Sequence, residues 1–388
     1  SRRRRHVRSP AAAPLDDDDL LSEILLRISP QPSSLPRASL VCKRWRSIVS
    51  DPGFCRRFRL RHRHNTPLLG FFNKYDDLSF LPTLDAPNLV PLERFSLPFD
   101  DVADYRFSLG CRHGLVLFWP MKRFQVVVWD PVTGDLHRIA VPPEFERTHG
   151  TVLRIAGELQ HFQVVLVVRH SDDEQHTRVI ACVYSSKAGL WGDLIPTLLP
   201  YHAHRSSYST LLYEPGAVLV GDSLYWMLSG NVDGILEFDL EKQSLSVIRV
   251  PVDMYGLGNY FQVMRAKGGG LGFLFMSVSD YTAQLWKRKT DCAGVASWEL
   301  GRTIQLDKLL SLKSEDKNPI ALSILGFAEQ NNLVLIWTVN GIFMIHLESL
   351  NFKKLAETTA RRPHYHPFES VYTAGNSMDY ISIQKNKL

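Results

Sequence analysis

Six short apolar runs recur along this chain at a spacing near 50 residues, and that recurrence restricts its possible folds more than any other feature. They begin at Leu68 ("LLGFF"), Leu115 ("LVLFW"), Val164 ("VVLVV"), Leu224 ("LYWML"), Phe273 ("FLFMS") and Leu333 ("LVLIW"), at offsets of 47, 49, 60, 49 and 60 residues. A weaker "YISI" follows at 380. The runs are strand-length and separated by turns of Gly, Pro, Asn and Asp. A repeat of this period in a strand-rich chain is the mark of a β-propeller, in which four-stranded blades circle a channel.

The detail within each repeat agrees. "HGLVLFWPMKRFQVVVWDPVTGDLHRIAVP" reads as three strands with polar turns between them. "GDSLYWMLSGNVDGILEFDLEKQSLSVIRVP" and "QNNLVLIWTVNGIFMIHLESLNFKKLAE" repeat that layout. Blades are expected at about 105–143, 152–199, 209–251, 261–306 and 320–357. The leftover "PLLGFF…ERFSLP" and "SVYTAG…DYISIQ" would join into one more four-stranded blade, closing the ring and removing open edges. Six blades are expected, or seven if 65–98 forms a blade alone. Neither the Trp-Asp dipeptide nor a glycine pair recurs with the repeat.

Ahead of the strands the pattern turns helical. Leu20, Leu21, Ile24, Leu25 and Ile28 share one helical face, with Asp16 to Asp19 supplying a cap and negative charge at the positive end of the helix dipole. Pro30 and Pro32 stop that helix. A second is expected from Ser34, carrying Leu40, Val41, Trp45, Ile48 and Val49 on one face. "SDPG" ends it, and "FCRRFRLRHRH" adds a short basic turn. About 40 residues rarely support a core alone, so the apolar residues left over imply a partner. The expected divisions are a disordered basic tail at 1–13, a helical domain at 14–62 and a propeller at 65–384.

The stretch "LLSEILLRISP…SSLPRASLVCKRWRSIVSDPGF" resembles the F-box, most closely that of plant F-box proteins. The Leu20-Leu21…Ile24-Leu25…Ile28 helix, the proline break and Leu40-Val41-Cys42-Lys43-Arg44-Trp45-Arg46 carry the likeness. The usual Leu-Pro opening is replaced by Pro14-Leu15 and an acidic run. The strand-rich part resembles the F-box-associated, kelch-like propellers of plant F-box proteins, notably in "VVVWDPVTGD" and "GDSLYWML". The resemblance implies a trihelical unit that docks on the Skp adaptor of cullin–RING ubiquitin ligases. On this chain the contact residues would be Leu15, Leu20, Leu21, Ile24, Leu25, Ile28, Pro30, Leu40, Val41, Cys42 and Trp45. The implied function is that of a non-catalytic, substrate-recruiting subunit of an SCF-type complex, joined through the adaptor to cullin and RING subunits. The alternative is a protein-binding scaffold that uses its F-box outside a ligase.

Composition removes several other classes. Residues 1–64 hold 15 Lys/Arg against 6 Asp/Glu, and the remaining residues 30 against 34. The basic character thus belongs to the head, and a propeller without a basic stripe argues against nucleic acid. "SRRRRHVR" reads as a solvated tail. No apolar run reaches the length of a membrane span, and no secretory signal is evident. The five cysteines (Cys42, Cys55, Cys111, Cys182, Cys292) are widely spaced, which suggests free thiols in cytoplasm or nucleus.

No chemistry-bearing motif is found. "GGGLG" at 268–272 lacks the phosphate-loop lysine. The pairs His62/His64, His202/His204 and His364/His366 have no cysteine or H-E-x-x-H partner, and no nucleophile elbow occurs. Neither a cofactor, a metal nor a catalytic residue is expected. A binding face is easier to place, because blade-to-blade connections all lie on one side of a propeller. Here they include "YHAHRSSY", "DMYGLGNY" and "RPHYHPF", and the "SDYTA" loop shares their face. These are dense in the side chains that fill interface centres. Tyr201, His202, Arg205, Tyr208, Tyr255, Tyr260 and Tyr281 are the candidate substrate contacts, the substrate being an unidentified protein.

Overall fold

The structure is a computed structural model that describes residues 17–74, 79–97, 106–120, 124–145, 148–155, 157–171, 177–199, 211–212, 216–229, 234–251, 260–312, 322–357 and 364–373. The chain divides into two compact units. The described part of the first is 17–67 with 86–88 and 371–373, and the second comprises 68–85 and 89–370. The expected basic tail lies outside the described residues.

The first unit is helical. α1 (Asp18–Leu25) is capped by Asp17, whose carboxylate accepts from the Asp19 and Leu20 N–H groups at 2.8 and 3.2 Å. Asp18 and Asp19 then place negative charge in its first turn, where the helix dipole favours it. The single second helix expected from Ser34 is two: α2 (Ser34–Ser39) and α3 (Lys43–Val49), broken at Leu40–Cys42. Periodicity ran through the break because Leu40 and Val41 are apolar, although both face outward. The "SDPG" stretch also does more than end a helix. Asp51 accepts from Phe54 N at 2.7 Å and Pro52 takes the first helical position, so α4 (Pro52–Arg61) starts there. Its Phe54 and Phe58 are each 1% exposed and pack with Leu21, Leu25, Leu26, Leu35, Val49 and Val371. The supposed basic turn is therefore part of the core, and the described residues of the unit form four helices rather than three. Ser33 is held from outside the helices, donating through both N–H and hydroxyl to Asn88 Oδ1 at 3.2 and 2.7 Å.

The second unit is a six-bladed β-propeller of antiparallel sheets. β1 (Leu68–Asn73) and β2 (Phe80–Pro82) open it. The first full blade holds β3 (Arg106–Arg112), β4 (Leu115–Pro120), β5 (Gln125–Trp129) and β6 (Leu136–Ala140). The second holds β7 (His149–Arg154), β8 (Phe162–Ser171) and β9 (Thr177–Ser185), with its outer edge split into β10 (Leu190–Trp191) and β11 (Ile195–Leu198). In the third, β12 (Leu211–Leu212) and β13 (Val218–Val220) both pair β14 (Ser223–Ser229), followed by β15 (Gly234–Asp239) and β16 (Ser244–Ile248). The fourth runs through β17 (Phe261–Arg265), β18 (Leu271–Ser277), β19 (Thr282–Thr290) and β20 (Ala296–Gln305), then a helical turn α5 (Leu306–Leu309). The fifth is β21 (Leu322–Ala328), β22 (Leu333–Thr338), β23 (Gly341–His346) and β24 (Phe352–Ala356). These spans lie within a few residues of the five blades read from the repeat.

The closing blade differs from expectation. β25 (Tyr365–Glu369) pairs β1, giving a sheet in the order β2-β1-β25, and packs beside β3 and β21. That pairing settles six blades over seven. The closing strand comes from "RPHYHPF", which reads as a loop, whereas "DYISIQ" lies outside the described residues. "ERFSLP" is not a strand either, since Leu92–Phe95 forms a 3-10 turn. In β25 the side chains of His366 and Phe368 point inward, at 4% and 0% exposure. A histidine and a proline within the alternation disguised it.

Two sequence devices recur. β1, β3 and β21 each carry a Leu-Gly pair (Leu69-Gly70, Leu109-Gly110, Leu325-Gly326) at a register shift, a bulge that bends the strand. At Gly326 a Cβ would stand 2.5 Å from the Tyr365 carbonyl oxygen, so the closing strand approaches where only glycine fits. Gly326→Ala is expected to cost about 1–3 kcal/mol, read as a lowered urea midpoint. The second device is the turn leaving the third strand. Asp130 Oδ1 accepts from Val132 and Thr133 N–H, Asp239 Oδ1 from Glu241 and Lys242, and His346 Nδ1 from Ser349. These are the W-D, F-D and H-L positions of the repeat.

Candidate functional site

In the helical unit the question is which apolar side chains the core leaves uncovered. Leu20 and Ile24, one turn apart on α1, are 41% and 37% exposed, and Leu40 and Val41 are 59% and 61% exposed. Arg44 Nε lies 2.6 Å from Asp18 Oδ1, which ties the start of α3, just beyond Leu40–Val41, to the start of α1, just before Leu20. Leu40 and Val41 thus stand near the end of α1 that carries Leu20, and Ile24 is exposed one turn further along α1. Cys42 is exposed beside them, and Trp45 and Ile28 are half-buried against the core.

Three expected contact residues are corrected. Leu21 and Leu25 are 0% and 1% exposed, and Pro30 is buried, so they hold the unit together and present nothing outward. The shared helical face merged two rows that the fold separates. Leu15 lies outside the described residues.

In the propeller the inner strands converge on one cavity lined by all six blades, among them Gly110, Arg112, Thr151, Gln262, Glu329 and His366. Arg112 reaches across the channel. Its Nη1 and Nη2 sit 2.6 and 2.5 Å from Glu329 Oε2 and Oε1, and Nη2 also donates to the Ala217 carbonyl at 2.6 Å. Leu219 N–H adds a bond to Glu329 Oε2 at 3.3 Å. The pair therefore links the first, third and fifth blades. It is nearly sealed, at 8% and 17% side-chain exposure, and bidentate, the geometry that most strengthens a charged hydrogen bond.

Around it stand ionisable groups displaced by burial. His366 Nε2 donates to the Ser108 carbonyl at 3.2 Å, and burial, with Lys74 nearby, lowers its pKa to about 3. His149 is lowered to about 3 by the same two causes. Burial pushes Glu369 up to about 7, even though it accepts from Asn331 Nδ2 at 2.7 Å and Asn331 N at 3.0 Å. Cys111 is raised by burial.

The expected substrate contacts divide. Tyr201, His202, Arg205, Tyr208 and Tyr255 lie outside the described residues. Tyr260 is half-buried against the core of the fourth and fifth blades. Tyr281 is corrected: it is 5% exposed within that core, and its carbonyl accepts from Leu306 N at 2.8 Å. It anchors α5 and offers no outward surface. Reading the sequence missed Arg112, Gln262, Glu329 and His366. Arg112 and Glu329 do follow Leu-Gly pairs at similar distances, the one available signal. Among the described residues there is no His/Cys/Asp/Glu group arranged to hold a metal, and no helix is long and apolar enough to cross a membrane.

The chain thus combines a helical unit with bare apolar side chains and a propeller with a walled axial cavity. Comparison with known proteins identifies the modules. Residues 17–57 match the F-box domain, and residues 108–373 match the β-propeller of F-box proteins like AT5G49610. The second match takes in more than half of the chain, which belongs to that family of F-box propeller proteins. Arabidopsis thaliana relatives carrying F-box names include At1g47790, 25% identical over 266 residues (65% of this chain, 62% of that protein). Another is At5g03970, 24% identical over 262 residues (61% and 58%). The chain spans less than two-thirds of the length of the curated relatives it matches. Among solved structures, apo AztD from Citrobacter koseri aligns at 10% identity and a TM-score of 0.32, covering 68% of this chain and 75% of that one. A likeness that low carries no argument.

Proposed function

We propose that this chain is the substrate-recruiting subunit of an SCF-type (Skp–cullin–F-box) ubiquitin ligase, acting in cytoplasm, nucleus or both. The F-box docks on the Skp adaptor, which brings cullin and RING subunits, and the propeller holds the protein to be ubiquitinated. F-box domains generally bind the Skp1 adaptor, and F-box propeller proteins are generally non-catalytic adaptors. The observation that carries the reading is the exposure of Leu20, Ile24, Leu40 and Val41 in a unit whose own core is complete. Covering the exposed half of each of those side chains would add about 1 kcal/mol apiece. The kelch-like propeller contributes proximity: a target tethered near the conjugating enzyme sees a raised effective concentration, which requires no reacting residue here.

The test is co-purification with a Skp adaptor. Val41→Asp and Ile24→Asp are expected to weaken capture at least tenfold, each leaving the helical circular dichroism unchanged. Full capture by both variants would reject the docking assignment. Leu25→Asp is unsuitable as a probe, because it would place a charge in the helical core and fail by unfolding.

A further inference from the structure

The core that α4 closes explains only half of that helix. Between Pro52 and His64 stand five arginines (Arg56, Arg57, Arg59, Arg61 and Arg63) and no Asp, Glu or Lys. α4 turns Phe54 and Phe58 inward and leaves Arg56, Arg57 and Arg61 exposed, with Arg63 exposed just beyond its end. Elsewhere in the unit arginines meet acids: Arg27 Nη2 lies 3.6 Å from Glu23 Oε2, and Arg44 Nε 2.6 Å from Asp18 Oδ1. The exposed arginines of this stretch do not. Arg57 Nη2 donates to Ser22 Oγ at 3.0 Å, and Arg63 Nε to His64 Nε2 at 2.9 Å. Among the described residues no hydrogen bond or ion pair engages the side chain of Arg56 or Arg61.

Helix physics does not ask for this charge. The dipole favours cations in the last turn, where Arg59 and Arg61 stand, but Arg56 and Arg57 lie in the middle of the helix. Arg57 and Arg61 are also one turn apart in one row, where like charges repel. A local rule broken without compensation inside the fold marks a surface shaped by something outside it. The kind of residue then narrows the partner. A guanidinium meets a carboxylate through two parallel hydrogen bonds, which an ammonium cannot do. The charges also fan out: Arg56 stands about 100° from Arg57 and about 140° from Arg61 around the axis. They suit several separate monoanions, whereas one phosphate would need them to converge. Arg56 to Arg61 cover only about 8 Å of axis, the reach of two or three residues of extended peptide. A single-stranded nucleic acid calls for an exposed aromatic to stack on, and both phenylalanines of α4 are 1% exposed. A bilayer calls for an apolar face beside the cations, where only the half-buried Leu60 stands.

We infer that the exposed arginines of α4, Arg56, Arg57 and Arg61, receive a short Asp/Glu-rich segment of another polypeptide. The surface is separate from the bare apolar side chains of α1. Arg57 bonds Ser22, which lies two residues from both Leu20 and Ile24 and therefore on the opposite side of α1. Both surfaces can be occupied at once. They use different side chains, so the failure of one assignment would leave the other untouched.

Fluorescence anisotropy of labelled hexaglutamate on the full chain tests it, with hexaglutamine as the uncharged counterpart and hexathymidylate as a nucleic acid of similar charge. At low salt hexaglutamate is expected to bind at least tenfold more tightly than hexaglutamine, and Arg56→Gln/Arg61→Gln to weaken it at least fivefold with the helical circular dichroism unchanged. If the double variant does not fold, Arg56→Gln alone decides, by a loss of at least twofold. No preference for hexaglutamate, or a preference that survives the α4 substitutions, would overturn the inference. A loss seen instead on replacing Arg2 to Arg5 by glutamine would place the peptide on the amino-terminal tail and overturn it. Equal or tighter binding of hexathymidylate through Arg56 and Arg61 would assign the surface to nucleic acid and overturn it as well. Val41→Asp should leave hexaglutamate binding within twofold, and a larger loss would place the peptide on the adaptor-docking face, again overturning it.

Discussion

Replacing Arg112 by methionine is expected to destabilise the propeller by about 3–5 kcal/mol, the usual result of leaving one member of a buried ion pair alone. Glu329, at 17% side-chain exposure, would be left with the Leu219 N–H at 3.3 Å among the described residues. It would also lose the cation that offsets its repulsion of Glu369, whose pKa Glu329 already raises. The double variant Arg112→Met/Glu329→Leu should be more stable than either single one, since exchanging a whole buried pair for apolar groups is often neutral. Seven of the eight tryptophans lie after residue 68, so fluorescence-monitored urea unfolding of the full chain reports on the propeller. A loss below 1 kcal/mol in Arg112→Met would show that the cross-channel pair does not hold the blades.

That pair also shows where sequence reading stops. Its members are 217 positions apart, and the one local sign each carries is the Leu-Gly pair shortly ahead of it. What could be read was whatever repeats along the chain. Five blades were legible because each presents an apolar strand, a polar turn and an outer strand at regular spacing. Their Asx-type turns at Asp130 and Asp239 were visible as W-D and F-D. The closing strand failed that test. Tyr365–Glu369 does not announce itself as a strand: "YHPFE" holds one histidine and one proline, and its inward alternation emerges only against β1 and β3.

The helical unit teaches the same lesson at shorter range. Periodicity placed Leu21 and Leu25 correctly on an apolar face but could not separate the row facing inward from Leu20 and Ile24 beside it. It also carried a helix through Leu40–Cys42, where the chain turns. Phe54 and Phe58 were hidden by the arginines around them, although α4 buries both completely enough to close the core. A neighbour in space decides each of these cases, and spacing along one helix holds no record of it.

Acid should loosen the ring before it affects most surface groups. His366 and His149 have pKa values lowered to about 3 by burial and by Lys74, against about 6.5 in an unfolded chain. Between these limits the unfolded state binds protons that the folded state refuses, so stability falls as the pH drops from 6.5 towards 3. Each histidine contributes at most about 1.4 kcal/mol per pH unit. Glu369 acts in the opposite sense: raised to about 7 by burial and by the neighbouring Glu329, it is more readily protonated when folded, so its contribution is lost as the pH rises from 4.5 to 7. The two effects compete between pH 4.5 and 6.5. His366→Gln should therefore flatten the dependence of Tm on pH in that window, and Glu369→Gln should steepen it. A Tm profile unchanged by either substitution would show that these groups are not protonated as their surroundings dictate. The histidine matters most at the seam, because protonation would give His366 a second N–H in a wall where Nε2 already serves Ser108 and a cation stands nearby. The strand it would disturb is the one that closes the circle.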